Sequence, residues 1–136
     1  MELNPHALVL THRYGTDGII YLSAAGKISN DQLLRFSTWA DEVKNLIRER
    51  AAHGDNPILV LTDISGVAHF ERKPIAVLRE LLSYDSQFPI RSAIVGGNRF
   101  AVLVLDSFVS LLRRTGIRHF KNKESALNWL QSARVI

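Results

Sequence analysis

The sequence predicts an α/β domain built on a mixed, mostly parallel five-stranded sheet with helices packed on it. Two apolar runs, "ILVLTDI" from residue 58 and "RSAIVGG" from residue 91, lack polar alternation. Strands buried on both faces read this way. Stretches of helical apolar spacing separate and follow them, which is the pattern of βαβ units. Near the start, Gly15-Thr16-Asp17-Gly18 joins two strand-like segments into a hairpin, which adds an antiparallel pair.

The elements follow in the order β-β-α-β-α-β-α-β-α. "HALVLTHRY" and "GIIYLSAAG" flank the opening turn. Ser29 precedes Gln32 by three residues, the spacing of a capping box. Leu33, Phe36, Ala40, Val43 and Ile47 then recur at helical spacing, predicting a long amphipathic helix that runs to Ala52. Gly54 and Pro57 in "HGDNP" stop it. The strand "ILVLTDI" leads into a loop over residues 66–73. Pro74 suits the first turn of the next helix, where its missing N–H is no loss. Ile75, Leu78 and Leu82 give that helix an inward stripe.

After "RSAIVGG" a helix is expected over residues 100–114. A strand over residues 99–106 is the alternative, but the apolar character continues through "SFVSLLRR", past ordinary strand length. "IRHFK" is a short strand. Asn122 caps a last helix that has Glu124 in its first turn and Ala126, Leu127 and Leu130 facing inward. No repeat, linker or low-complexity tract interrupts the order, so residues 1–136 read as one domain.

Composition narrows the function classes. Hydrophobic residues make up 46% and charged residues 22%, a globular balance. There is no cysteine, which excludes disulfides, thiol catalysis and cysteine-ligated zinc. The start "MELNPHALVL" lacks a secretory pattern and no run reaches spanning length, so the expected location is the cytoplasm. The net charge of +4 is scattered except in "RRTGIRHFKNK". Nucleic-acid binding is therefore not expected, because net charge alone speaks to non-specific attraction.

"LVLTDISGVAHFERKP" invites a catalytic reading, since Asp63, Ser65 and His69 fall within seven residues. A triad needs Ser–His contact with the acid behind the His, and no Gly-x-Ser-x-Gly elbow is present. The better reading gives Asp63 and Ser65 local hydrogen bonds to the backbone and Gly66 an unusual backbone angle. His6, His12, His53, His69 and His119 make no His-x-x-x-His or His-x-His pair, so no metal is expected. No cofactor is implied.

Three segments carry a family resemblance. "GKIS" resembles the Gly-x-Leu/Ile end of the second strand of STAS domains. "LVLTDISGVAHFE" resembles their central strand, which ends in Asp and is followed by an Asp-Ser-Ser-Gly turn. "FKNKESALNWL" is similar to the end of the SpoIIAA-like (STAS/SEC14-like) branch. The resemblance runs from Gly18 onward and implies a non-enzymatic, protein-binding regulatory domain. Aligning Asp63 with the first Asp places Phe70 on the last apolar position and Glu71 on the second Asp. Arg72 and Lys73 then fall on the two serines and Pro74 on the glycine. In phosphorylated antagonists the second serine takes a phosphate that changes partner binding by charge. Lys73 has no hydroxyl, so the resemblance implies a domain without that switch.

The expected protein-docking residues are Ser65, Gly66, His69, Glu71, Arg72 and Lys73. A second candidate is Gly96, Gly97, Asn98 and Arg99, where a turn between strand and helix would hold an anion on backbone amides and the Arg99 charge. A plain tight turn is the competing reading, because this is no complete phosphate-binding fingerprint. The two groups should meet at the carboxyl ends of the strands, where open α/β sheets bind ligands. Residues 100–114 are apolar almost all round, so the N-terminal segment, a ligand with a greasy tail or another subunit has to cover the surplus, and a homodimer is the favoured reading. Sensing of an anion, nucleotide or lipid is the alternative function.

Overall fold

The computed structural model describes residues 7–98 and 116–133. Strands β1 (Val9–Tyr14), β2 (Ile19–Ile28), β3 (Ile58–Phe70), β4 (Ile90–Val95) and β5 (Ile117–Phe120) form one sheet in the order β1-β2-β3-β4-β5. β1 pairs antiparallel with β2, and every other neighbour is parallel. The helices are α1 (Leu33–Ala52), α2 (Arg72–Asp85) and α3 (Lys123–Ser132). The helix expected over residues 100–114, and the dimer contact argued from it, lie outside the described residues.

The hairpin forms as its residues dictate. Gly18 takes φ 78°, a conformation open to glycine, and the Asp17 carboxylate accepts the Ile19 amide at 3.1 Å. In α1 the stripe Phe36, Trp39, Ala40, Val43 and Ile47 is buried, and Gly54 follows the last turn at φ 88°. One helix start departs from expectation. Ser29 and Gln32 form no capping box, because Asn30–Gln32 is a 3₁₀ turn and the Ser29 hydroxyl donates to the Asp31 carboxylate instead. Asn122 does cap α3, accepting the Ser125 amide at 2.9 Å.

The two sheet faces bury separate clusters. Ile20, Leu22, Ile28, Ile58 and Val60 pack under α1 and α2, and Ile19, Leu59, Leu61, Ala93 and Val95 pack under α3. Successive residues of β3 thus point into different cores, which is why "ILVL" has no polar alternation. All four are at most 3% exposed, so each contributes about 1.5–3 kcal/mol of apolar burial.

The main correction concerns the stretch after Asp63. The expected loop over residues 66–73 is strand as far as Phe70, and α2 begins at Arg72. β4 pairs only with Ile58 to Asp63, whereas β2 accompanies β3 through Phe70. The register slips twice on the way, from Ser23↔Asp63 to Ala25↔Gly66 and from Gly26↔Val67 to Lys27↔His69. β3 therefore holds one extra residue opposite Ala24 and another, Ala68, between Val67 and His69. These are β-bulges, and they bend the strand toward the start of α2.

Candidate functional site

The candidate surface is built by the bulged half of β3 and the first turn of α2. Each bulge frees a backbone group from the ladder, and a side chain meets it. At the first, Asp63 Oδ1 accepts the Ser65 amide at 2.9 Å and also the Ser65 hydroxyl. At the second, Asn98 Nδ2 donates to the Ala68 carbonyl at 3.3 Å. Gly66 lies against β2 so closely that a Cβ would stand 2.7 Å from that of Ala25. The expected local role of Asp63 is thus present, at a bulge instead of a turn, whereas Gly66 does not take the expected positive φ and is needed for its close approach to Ala25.

β3 passes into α2 through Glu71. The Glu71 amide donates to Ile28 O at 2.8 Å, and its carboxylate accepts the Asn30 amide at 2.8 Å. Asn30 Oδ1 in turn accepts the Lys73 amide at 3.0 Å. Glu71 is the N-cap residue of α2 yet makes no cap bond of its own. Asn30 supplies that bond from another element, to the second helical amide that an N-cap side chain ordinarily serves. Pro74 follows, fully buried. Ser65, Gly66, His69, Arg72 and Lys73 are exposed and Glu71 is half-buried.

The second candidate group meets the first. Gly96 and Gly97 have φ of 77° and 97°, and a Cβ on Gly96 would stand 2.7 Å from that of Ser65. The Gly96 amide donates to the Phe120 carbonyl at 3.1 Å and its carbonyl contacts His119 Nε2 at 2.8 Å. Both backbone groups of Gly96 therefore tie the end of β4 to β5, and its missing side chain lets β3 approach at Ser65. Arg99 lies outside the described residues.

No group of three metal-ligating side chains occurs among the described residues. No described helix is long and apolar enough to cross a membrane. A cavity of about 70 Å³ lies between the sheet and α1 and α2, lined by Phe36, Trp39, Ile64, Phe70, Leu81 and Ile94 among others. Drug-sized ligands occupy roughly 300–1,000 Å³, so neither a nucleotide nor a lipid fits it as it stands.

Sequence reasoning missed Asn30 and Lys27. Lys27 stands beside His69 in the β2–β3 register, a pairing that depends on two bulges. Asn30 lies 43 residues from the helix that it caps. Its only signal is the cluster Ser29-Asn30-Asp31 of cap-forming residues, which reads more simply as the start of α1.

No family model matches the sequence, and no curated protein matches it by sequence. Solved structures do match. An anti-sigma factor antagonist from Mycobacterium paratuberculosis superposes with TM-score 0.65 at 13% identity, over 94% of this chain and 97% of the other. An uncharacterised protein with a SpoIIAA-like fold from Shewanella loihica gives 0.56 at 22%, over 96% and 98%. A Thermotoga maritima protein assigned as an anti-sigma factor antagonist gives 0.64 at 17%, over 90% and 94%. The chain has a SpoIIAA-like fold, and its described strands and helices follow the predicted order.

Proposed function

We propose that this chain is a non-enzymatic STAS-like interaction domain that regulates a protein partner and works without the serine phosphoswitch. The observation that carries the proposal is the start of α2. The resemblance aligned on Asp63 would put Arg72 and Lys73 where phosphorylated antagonists carry their serines, and the Lys73 amide is bonded to Asn30. The docking surface is Ser65, Gly66, His69, Glu71, Arg72 and Lys73. Structural neighbours that are anti-sigma factor antagonists support a protein as the partner. Fold likeness does not by itself assign function, so the reading rests on the corner together with the neighbours. Self-association belongs to the proposal, and sedimentation showing only monomer at high concentration would remove that part.

The test is site-specific crosslinking in the native host. A photoreactive residue at position 69 is expected to capture a partner that one at the remote, exposed position 48 does not. Equal capture at both positions, or none at 69, would overturn the docking surface. Capture that persists at 69 but is lost on dephosphorylating the lysate would show that a phosphate on the partner takes over the regulation.

A further inference from the structure

We propose that this corner is a fixed cationic surface that reads an acidic segment of its protein partner. The inference rests on the docking reading above and adds the partner's chemistry. Lys27 and His69 are register neighbours at the ends of β2 and β3, and Arg72 and Lys73 open the helix that follows. All four side chains are exposed. Among the described residues none makes an ion pair within 4.0 Å, whereas Lys44 and Arg50 elsewhere do. The nearby carboxylates are engaged inward. Glu71 holds the Asn30 amide, and Asp31 accepts from Ser29, with Lys27 acting on it only at longer range.

The placement of Arg72 and Lys73 works against stability. The start of a helix is its positive end, where cations are unfavourable and carboxylates favourable. α3 follows that rule with Glu124, and the turn entering α1 carries Asp31. α2 has no acidic residue in its first turn and two adjacent basic ones. The Glu71 carboxylate at the N-cap offsets part of that cost, and the remainder is the kind of broken local rule expected at functional positions. Because Asn30 closes the Lys73 amide, the attraction comes from side chains spread over three elements and not from an open cradle of amides. Such a surface suits several carboxylates on a partner. A continuous phosphate backbone fits it less well, since Asp31 and Glu71 interrupt the three cations Lys27, Arg72 and Lys73, and nucleic-acid binders present longer basic stripes.

The test uses a fluorescent peptide of alternating Glu and Ala, its Gln counterpart and a short single-stranded DNA, each titrated into the full chain. Two variants are compared, R72Q/K73Q and the charge-matched R48Q/K121Q on other surfaces. The Glu peptide is expected to bind best, with amide shifts confined to residues 27–31 and 69–73. R72Q/K73Q should weaken it about five- to tenfold, the scale of two exposed ion pairs, and R48Q/K121Q should leave it unchanged. R72Q/K73Q should also melt no lower than the parent, which a purely structural role for these charges would contradict. Equal loss in both variants, or tighter binding of DNA, would overturn the inference. Crosslinking at position 69 separates the two readings. Equal yield in the parent and in R72Q/K73Q would remove the acidic partner and leave the docking surface standing. No yield in the parent would remove the docking surface itself.

Discussion

The Glu71 carboxylate holds the backbone of Asn30 across the corner where β2 ends and α2 begins. The Glu71 carboxylate accepts the Asn30 amide at 2.8 Å, and the Asn30 side chain accepts the Lys73 amide two residues beyond Glu71, at 3.0 Å. Two backbone donors that the secondary structure leaves over are thus satisfied by side chains across the corner. A capping box is a two-residue exchange within one helix, whereas here three residues from different elements form a chain. The second amide of α2 is thus tied to the scaffold by a side chain from outside the helix.

Asn30→Ala removes the acceptor from Lys73 and should cost about 1 kcal/mol, the usual worth of an N-terminal cap. Asn30→Asp keeps an acceptor oxygen and adds a charge suited to the positive helix end, so it should cost less than Asn30→Ala. Urea unfolding of the three proteins checks the order. If Asn30→Ala is as stable as the parent, the cap contributes nothing.

The two glycines of the site should respond differently to alanine. Gly66→Ala sets a Cβ 2.7 Å from that of Ala25 and should cost about 1–3 kcal/mol by overpacking. Adding Ala25→Gly removes the obstacle, so the double variant should be more stable than additivity predicts. Gly96→Ala meets the Ser65 backbone at 2.9 and 3.1 Å and holds a positive φ, so Ser65→Gly should not rescue it. Thermal unfolding of both cycles checks the contrast, and equal rescue at the two sites would refute it.

The bulges give a third expectation. Asp63→Ala leaves the Ser65 amide without its carboxylate acceptor and should destabilise by about 1 kcal/mol. Hydrogen exchange should rise at residues 64–66 and stay unchanged at residues 59–61, which are paired on both sides by β2 and β4. Faster exchange along the whole of β3 would mean that Asp63 supports the strand and not the bulge.

Much of the fold was legible because its signals are local or periodic. The apolar run from Ile58 to Leu61 announces a strand between two cores, and Asn122 sits directly before the helix that it caps. The corner was misread for a physical reason. Asp63, Ser65 and Gly66 are the residue types of a turn, but the same types accommodate a bulge inside a strand, and only the neighbour β2 decides between them. The role of Asn30 was illegible because its effect falls on a helix 43 residues away. The proposed docking residues form one stretch of sequence, whereas Lys27 stands beside His69 by strand pairing alone.

Acid should weaken the fold through carboxylates on β2 and its flanks. At Asp17 burial alone would raise the pKa, but hydrogen bonds from the Tyr21 hydroxyl and the Ile19 amide, helped by the Arg13 charge, bring it below the ordinary value of 3.8. At Asp31 the Ser29 hydroxyl and a backbone amide lower it likewise. A carboxyl whose pKa is depressed in the folded state adds stability that is complete above its unfolded pKa and is lost as pH falls through the folded one. Tyr21→Phe removes the hydroxyl but keeps the ring that Arg13 and Lys123 stack on at 4.1 and 5.5 Å. It should therefore lower the melting temperature near pH 6, and its gap to the parent should close as pH falls from about 4 towards 2. Melting curves across that range decide the matter. A gap that persists in acid would show that the Tyr21 bond does not depend on an ionised Asp17.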